Sequence, residues 1–260
     1  MQYAAAKRLQ PVLPVRRPAT FERQFAVFDR ERAPPSTIPI GFRRHVGTRL
    51  VCAACPTLPV VRLLDGAGQP TGFVLGDPID LNTARVLRDA IELKISRSGD
   101  VEGQVEALFE RLGGSFVIVI DGHGFQHIYL DACGSMSLVF DPERHVAAAT
   151  TGLLLDEEDY EARFEATLYT YLNVLRDGWF PAGLTAHTGI VRQLVNHRLD
   201  LATMRQSRHW PREQIAISDD PHAAVAEICR ATRAGIDALR AQGPIVSTLT
   251  AGNETRMLLS

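Results

Sequence analysis

The residues best suited to chemistry lie near the C-terminal end of the chain. There IVSTLT runs into Ala251-Gly252-Asn253-Glu254-Thr255 and then into Arg-Met-Leu-Leu-Ser. A β-branched strand entering a small-residue turn before a helix start aims several backbone N–H groups at one point. The positive end of the new helix adds to them. Ala251 and Gly252 let an anion approach the backbone closely. Thr250 and Thr255 add hydroxyl donors, and Glu254 can hold a Mg²⁺ ion that bridges phosphates. No Gly-Lys-Ser/Thr follows, so the turn is not a Walker loop. On these residues alone it is either a phosphate-binding turn or an ordinary tight one.

Other chemistry-bearing residues are sparse. Cys52 and Cys55 form a C-x-x-C inside LVCAACPTLPVVRLL, an apolar run of strand type, and read as small buried side chains. A zinc site would want a second close pair of ligands; the nearest offer is His123 and His127 with Cys133. Asp131 reads as a turn residue bonding its own backbone. His187, His197, His209 and His222 stand without a neighbouring Ser or Cys motif and read as surface or structural histidines. Trp179, Phe180 and Trp210 read as core anchors. No catalytic residue is assigned.

The elements that must position these residues follow from periodicity. Residues 1–20 carry Pro11, Pro14 and Pro18 and read as a loose arm. From Arg23 to Ile79 the chain is strand-rich: FAVFD, TIPIGFR, RLVCAA, LPVVRLL and GFVLG, with a hairpin turn at Gly66-Ala67-Gly68. Asp80 to Lys94 is ambiguous, with Leu87, Ile91 and Ile95 at helical spacing. A helix is expected over 101–112, stopped by Gly113 and Gly114. An antiparallel meander follows: FVIVI, a DGHG turn, FQHIYL, then SLVF and HVAAAT across Asp-Pro-Glu-Arg. One helix is expected over 157–175, its start capped by the acidic run Asp156 to Asp159. GIVRQLVNHRLDL reads as short extended pieces. A long amphipathic helix is expected over 221–241, with Ala224, Ile228, Ala231, Ile236 and Leu239 on its apolar side. Asp219 or Asp220 caps it and Pro221 suits its first turn.

The chain's end resembles a known family. TLTAGNETRMLLS is similar to the pyrophosphate-binding loop of the asparagine-synthase-like adenylating enzymes, whose usual form is S-G-G-x-D-S. Thr250 stands for the first serine, Ala251 and Gly252 for the two glycines, and Asn253 for the free position. Glu254 stands for the aspartate and Thr255 for the last serine; four of the five defined positions are substituted. Upstream, DACGSMSLVF resembles the family's D-p-x-G-x-x-P-L-Y-Y stretch. Asp131, Gly134, Leu138 and Phe140 match it, and Ser137 replaces the proline. GLTAHTGIVRQLVNHRLDLATMRQSRHWP resembles the linker region through Gly189-Ile190, Leu194, Asn196-His197, Leu199 and Arg208-His209-Trp210, with Val195 in place of a proline. The likeness spans roughly 109–260; the first 100 residues match only in style.

The resemblance implies an α+β fold: an Ntn-hydrolase-like αββα sandwich of antiparallel sheets over 21–215. Residues 216–260 would be the first strand–turn–helix of an α/β synthetase domain of the adenine-nucleotide alpha hydrolase type. It implies ATP and Mg²⁺, with Thr250, Ala251, Gly252, Asn253, Glu254 and Thr255 around the pyrophosphate and Glu254 on the metal. The implied substrates are a small carboxylate, which is adenylated, and an amine, which attacks it. Glutaminase activity is expected to be absent. The nucleophilic cysteine that such domains expose at the terminus has no counterpart in Met1-Gln2, and no R-H-R-G or N-G-E segment appears. Ending ten residues after Thr250, the chain is expected to be a fragment that does not turn over alone. The rival reading is a non-catalytic Ntn-like scaffold or partner-binding domain with a decayed loop.

Composition sets the outer limits. The chain has 260 residues, 45% hydrophobic and 22% charged, with a net charge of −2. That is globular, and it excludes a disordered tail or a collagen-like repeat. The balance points to no nucleic acid and no anionic membrane as partner. No run approaches the roughly 20 apolar residues of a spanning helix. Four cysteines are few and suit the reducing cytoplasm. A homodimer is left open.

Overall fold

The first four residues of FAVFD are all apolar because both faces of the segment are covered. In the computed structural model, which describes residues 22–93, 101–211, 214–215, 217 and 219–246, this segment forms β1 (Phe25–Asp29). It is followed by β2 (Arg43–Val46), β3 (Leu50–Ala54), β4 (Val60–Leu64), β5 (Pro70–Asp80), β6 (Arg85–Val86) and β7 (Ile91–Glu92). Helix α1 (Val101–Arg111) leads into β8 (Leu112–Gly122), β9 (Phe125–Leu130), β10 (Val139–Asp141) and β11 (Val146–Ala148). Short helices α2 (Glu157–Ala162), α3 (Ala166–Tyr171) and α4 (Val174–Asp177) precede β12 (Val191–Arg192), β13 (His197–Asp200), β14 (Arg205–Arg208) and α5 (Pro221–Arg240).

The strands form two sheets. The first runs β12-β10-β11-β1-β3-β2; the second runs β14-β13-β9-β8-β5-β4-β7, with β6 on β5. Pairings are antiparallel except β4 with β7. The protein is thus mixed α+β, built on two sheets with few helices. Alternation explains the packing. Phe25 and Val27 of β1, with Leu50 and Cys52 of β3, enter one buried cluster with Phe73, Leu75, Val117, Val119 and Ile128 of the second sheet. Ala26 and Phe28 turn the other way, to meet Leu153, Leu154 and Ile190. In β8, Phe116, Ile118 and Ile120 face Val101, Val105 and Leu108 of α1. Strands covered on both faces read as continuous apolar runs. Each fully buried aliphatic side chain here contributes about 1.5–3 kcal/mol.

A polar clamp joins the sheets. Asp121, near the end of β8, accepts hydrogen bonds from the backbone N–H groups of Arg49 and Leu50 at 3.0 Å. Burial pushes its carboxyl above the usual range, against the pull of those N–H donors. Gly47 lies against it: a Cβ there would sit 2.1 Å from Oδ2.

Several expectations need correction. The meander is divided: β8 and β9 belong to the second sheet and β10 and β11 to the first, so the chain crosses at Asp131. TIPIGFR is not a strand, since pairing begins only at Arg43. The ambiguous stretch after Asp80 forms no helix but the short strands β6 and β7. Helix α1 ends at Arg111, close to the expected stop, but Gly113 and Gly114 continue directly in β8, opposite Ile79 and Pro78. Gly114 has φ +93, and a Cβ there would lie 2.3 Å from the Asp77 carbonyl oxygen. That position therefore demands glycine as a strand residue.

The single helix over 157–175 is three short ones. Phe164 bridges to His187, Glu165 N–H donates to Ala186 O, and Thr188 N–H donates to Arg163 O. This strand-like pairing interrupts the helical ladder, and Asn173 at φ 51 breaks it again. Tyr171 is 85% exposed and Leu175 is 76% exposed, so their spacing marks no core face. Trp179 and Trp210 are more than half exposed and are not core anchors.

Other expectations hold. The turn at 66–68 joins β4 to β5, with Asp65 accepting from the N–H groups of Ala67 and Gln69. Asp156 caps α2 through Asp159 N–H, and Asp220 caps α5 through the N–H groups of His222 and Ala223. No helix among the described residues is long and apolar enough to cross a membrane.

Candidate functional site

Helix α5 brings the chain towards the predicted loop. Pro221 at its first turn and the Asp220 cap fix its start. One side rests on the ends of β5 and β8, where Arg230 donates to Leu81 O at 3.0 Å and is paired with Glu227. Of its residues only Ala238 is buried. Val225 and Ile228 are more than half exposed, and Leu239 is 45% exposed. Between α5 and the second sheet lies a groove of about 1070 Å³, lined by Ile79, Leu81, Gly114, Ile236, Leu239 and the outgoing Val246. The sequence-predicted site residues Thr250, Ala251, Gly252, Asn253, Glu254 and Thr255 lie outside the described residues, as do the arm at 1–20 and the rest of the IVSTLT strand.

Between the groove residues Ile79 and Leu81, Asp80 pairs with Arg111, with Nε at 3.0 Å and a terminal nitrogen at 2.5 Å. Burial alone would raise the Asp80 carboxyl, but the guanidinium and the N–H groups of Asn82 and Thr83 hold it below the usual range. Asp77 behaves likewise between Arg23 and Arg88. These pairs pin the sheet end on which α5 rests.

The two stretches that carry the family resemblance meet in space. Asp131, at the crossover between the sheets, accepts from the N–H groups of Cys133 and Ser135 and from the Ser135 hydroxyl, at 3.0–3.1 Å. It also accepts longer bonds from the N–H groups of Phe116 and Met136. A carboxylate this fully engaged shapes its turn, as expected from the sequence. The chain then enters β10, where Val139 pairs with Arg192 and Phe140 with Val191. Gln193 N–H donates to Leu138 O at 2.9 Å. His209 packs edge-on against Tyr129 with ring centroids 5.1 Å apart, and 5.2 Å from Phe109.

The histidines and cysteines are dispersed. His123 reaches Asp65 at 3.2 Å in the β8–β9 turn, His127 is buried beside the Tyr129 hydroxyl, and Cys133 lies beyond the other end of β9. No cluster of three metal-ligating side chains occurs among the described residues. His187 is buried against the Tyr160 ring at 4.1 Å. Burial drives its imidazole down to about 4, against a smaller opposing effect of the Tyr160 backbone.

Cys52 is fully buried, and burial pushes its thiol up to about 12. Cys55 differs from it. Burial would raise its thiol too, but the Thr57 hydroxyl at 3.2 Å and the backbone of Thr57, Arg23 and Gln24 bring it below the ordinary thiol range. The C-x-x-C pattern gave no sign of this, because the contacts come from a neighbouring turn and the start of β1. Gln193, buried beside the crossover, also went unnoticed: nothing in its neighbours marks it. No family model and no curated protein sequence matches the chain.

Proposed function

We propose that the chain is the N-terminal part of an ATP-dependent amide-forming ligase similar to the asparagine-synthase-like enzymes. The sandwich would be an Ntn-like αββα domain that does not hydrolyse glutamine, and the segment from about residue 216 would begin the synthetase domain. The carboxylate oxygen attacks the α-phosphorus of ATP, pyrophosphate leaves, and an amine then displaces AMP from the acyl-adenylate. Backbone N–H groups near Gly252, with the Thr250 and Thr255 hydroxyls, would hold the pyrophosphate and stabilise the charge that develops on it. Glu254 would hold the Mg²⁺ that supplies further charge neutralisation.

The observation that carries this reading is the sequence of the loop directly after a long amphipathic helix. The uncovered apolar side of α5 supports it, since Val225, Ile228 and Leu239 are what a helix lying between two layers presents. The loop's substitutions Ala251 and Glu254 favour the second reading, an Ntn-like scaffold whose loop has decayed.

Exchange of labelled pyrophosphate into ATP, measured across a panel of small carboxylates on the protein with every residue its gene encodes, separates the two. Carboxylate-dependent exchange that falls about 100-fold or more in Gly252→Val supports the ligase. Absence of exchange with every carboxylate supports the scaffold. Release of glutamate from glutamine at an enzymatic rate would overturn the expected loss of glutaminase activity.

A further inference from the structure

The groove between α5 and the second sheet is as large as the largest small-molecule sites but lacks their convergent polar groups. Thr232 and Arg240 are the only polar side chains among its described lining residues. Ile79, Leu81, Ile236, Leu239, Ile245 and Val246 give it an apolar surface, and Val246 is 93% exposed. Gly113, Gly114 and Gly235 line it as well, so a backbone can approach closely. At Gly235 a Cβ would meet no atom within 4 Å. An apolar trough with glycine walls suits an extended, uncharged segment.

The chain carries such a segment, outside the described residues: Leu9-Gln10-Pro11-Val12-Leu13-Pro14-Val15. Its two prolines favour an extended backbone and have no N–H to leave unpaired in apolar surroundings. The arm that carries it joins the sandwich beside the groove, where Arg23 pairs with Asp77 of β5. Asp77 and Ile79 are two residues apart on that strand and share a face. Gly114 lies against both, since a Cβ there would meet the Asp77 carbonyl oxygen and the Ile79 side chain. Extended, residues 16–22 reach about 25 Å, and 9–15 span about 20 Å more. The lining stretch of α5, from Ala231 to Leu239, rises only about 12 Å. A tether this short holds the segment at about millimolar effective concentration, which favours it over a second copy of the chain.

We infer that residues 9–15 dock in the groove of their own chain and strap α5 to the sandwich. Val225 and Ile228 are not among the groove's lining residues, so they stay uncovered for a further layer. The inference therefore does not rest on the ligase reading.

The test places a nitroxide spin label on Gln10→Cys in the full chain, with the exposed Cys133 and Cys229 changed to serine. Amide signals of 79–81, 113–114 and 231–239 should lose intensity with the label oxidised and recover it on reduction. The loss should vanish when the label sits on isotope-silent chains mixed with isotope-enriched, unlabelled ones. Two variants should also abolish it. Leu13→Asp puts a charge on the segment, and Gly235→Leu fills the groove at a position with open space. Both should unfold at the same urea concentration as the parent or a higher one. Full intensity at the groove amides would overturn the inference. So would equal loss in the mixed sample, which would mean that the arm docks on a second copy. Loss that persists in either variant would overturn it too.

Discussion

The sandwich and helix α5 contain similar apolar residues but use them differently. In β8, Phe116, Ile118 and Ile120 are sealed beneath α1, while Val117 and Val119 enter the core between the sheets. In α5, residues of the same kind stand at regular helical spacing, yet Val225 and Ile228 remain more than half exposed. Amphipathic spacing therefore forecasts a face without forecasting what covers it. The sandwich is completed by its own layers, and α5 is anchored by one side and its cap.

This contrast sets a scale for mutation. Ile118→Ala should cost about 2–5 kcal/mol in urea unfolding, because a fully buried side chain leaves a cavity behind. Ile228→Ala, the same type of change on α5, should stay within about 0.5 kcal/mol. Equal costs would mean that α5 is packed as tightly as β8. Asp131→Ala should come next, at about 2–4 kcal/mol, since it strips acceptors from several N–H groups at the crossover.

The His187 effect is of similar or smaller size and depends on pH. Its folded imidazole, near 4, lies below the ordinary value of 6.5. The unfolded chain therefore binds the extra proton first as pH falls. The stability that neutral His187 allows is fully present above about 6.5 and is lost towards 4, at about 2–3 kcal/mol in all. His187→Phe should remove that slope from unfolding curves taken between pH 7 and pH 4.5. A slope that persists unchanged would assign it to other groups. The smallest expected change is Asp220→Ala, which removes the cap of α5 at about 1 kcal/mol of helix stability. Amide exchange should show this loss at the first turn of α5 and not in β8.

Much of this contrast could be read in the sequence. FAVFD, FVIVI and FQHIYL announced strands, and Asp220-Pro221 announced the start of α5 through cap chemistry. Asp131 and Asp156 were legible as local side-chain-to-backbone bonds because their shorter bonds reach partners within five residues. What sequence could not show was set by distant contacts. The helix over 157–175 fails because 163–165 pairs with 186–188. Gly113 and Gly114 look like a helix stop, but the opposing β5 backbone makes them strand residues. The division of the meander between two sheets depends on the chain's crossing at Asp131.

Labelled pyrophosphate exchange into ATP tests the functional reading most directly, on the protein with all the residues its gene encodes. The ligase account predicts exchange that requires both Mg²⁺ and one carboxylate of the panel, and that is lost in Gly252→Val while the sandwich unfolds at the same denaturant concentration as wild type. Exchange absent with every carboxylate, or present and unchanged in Gly252→Val, would contradict it.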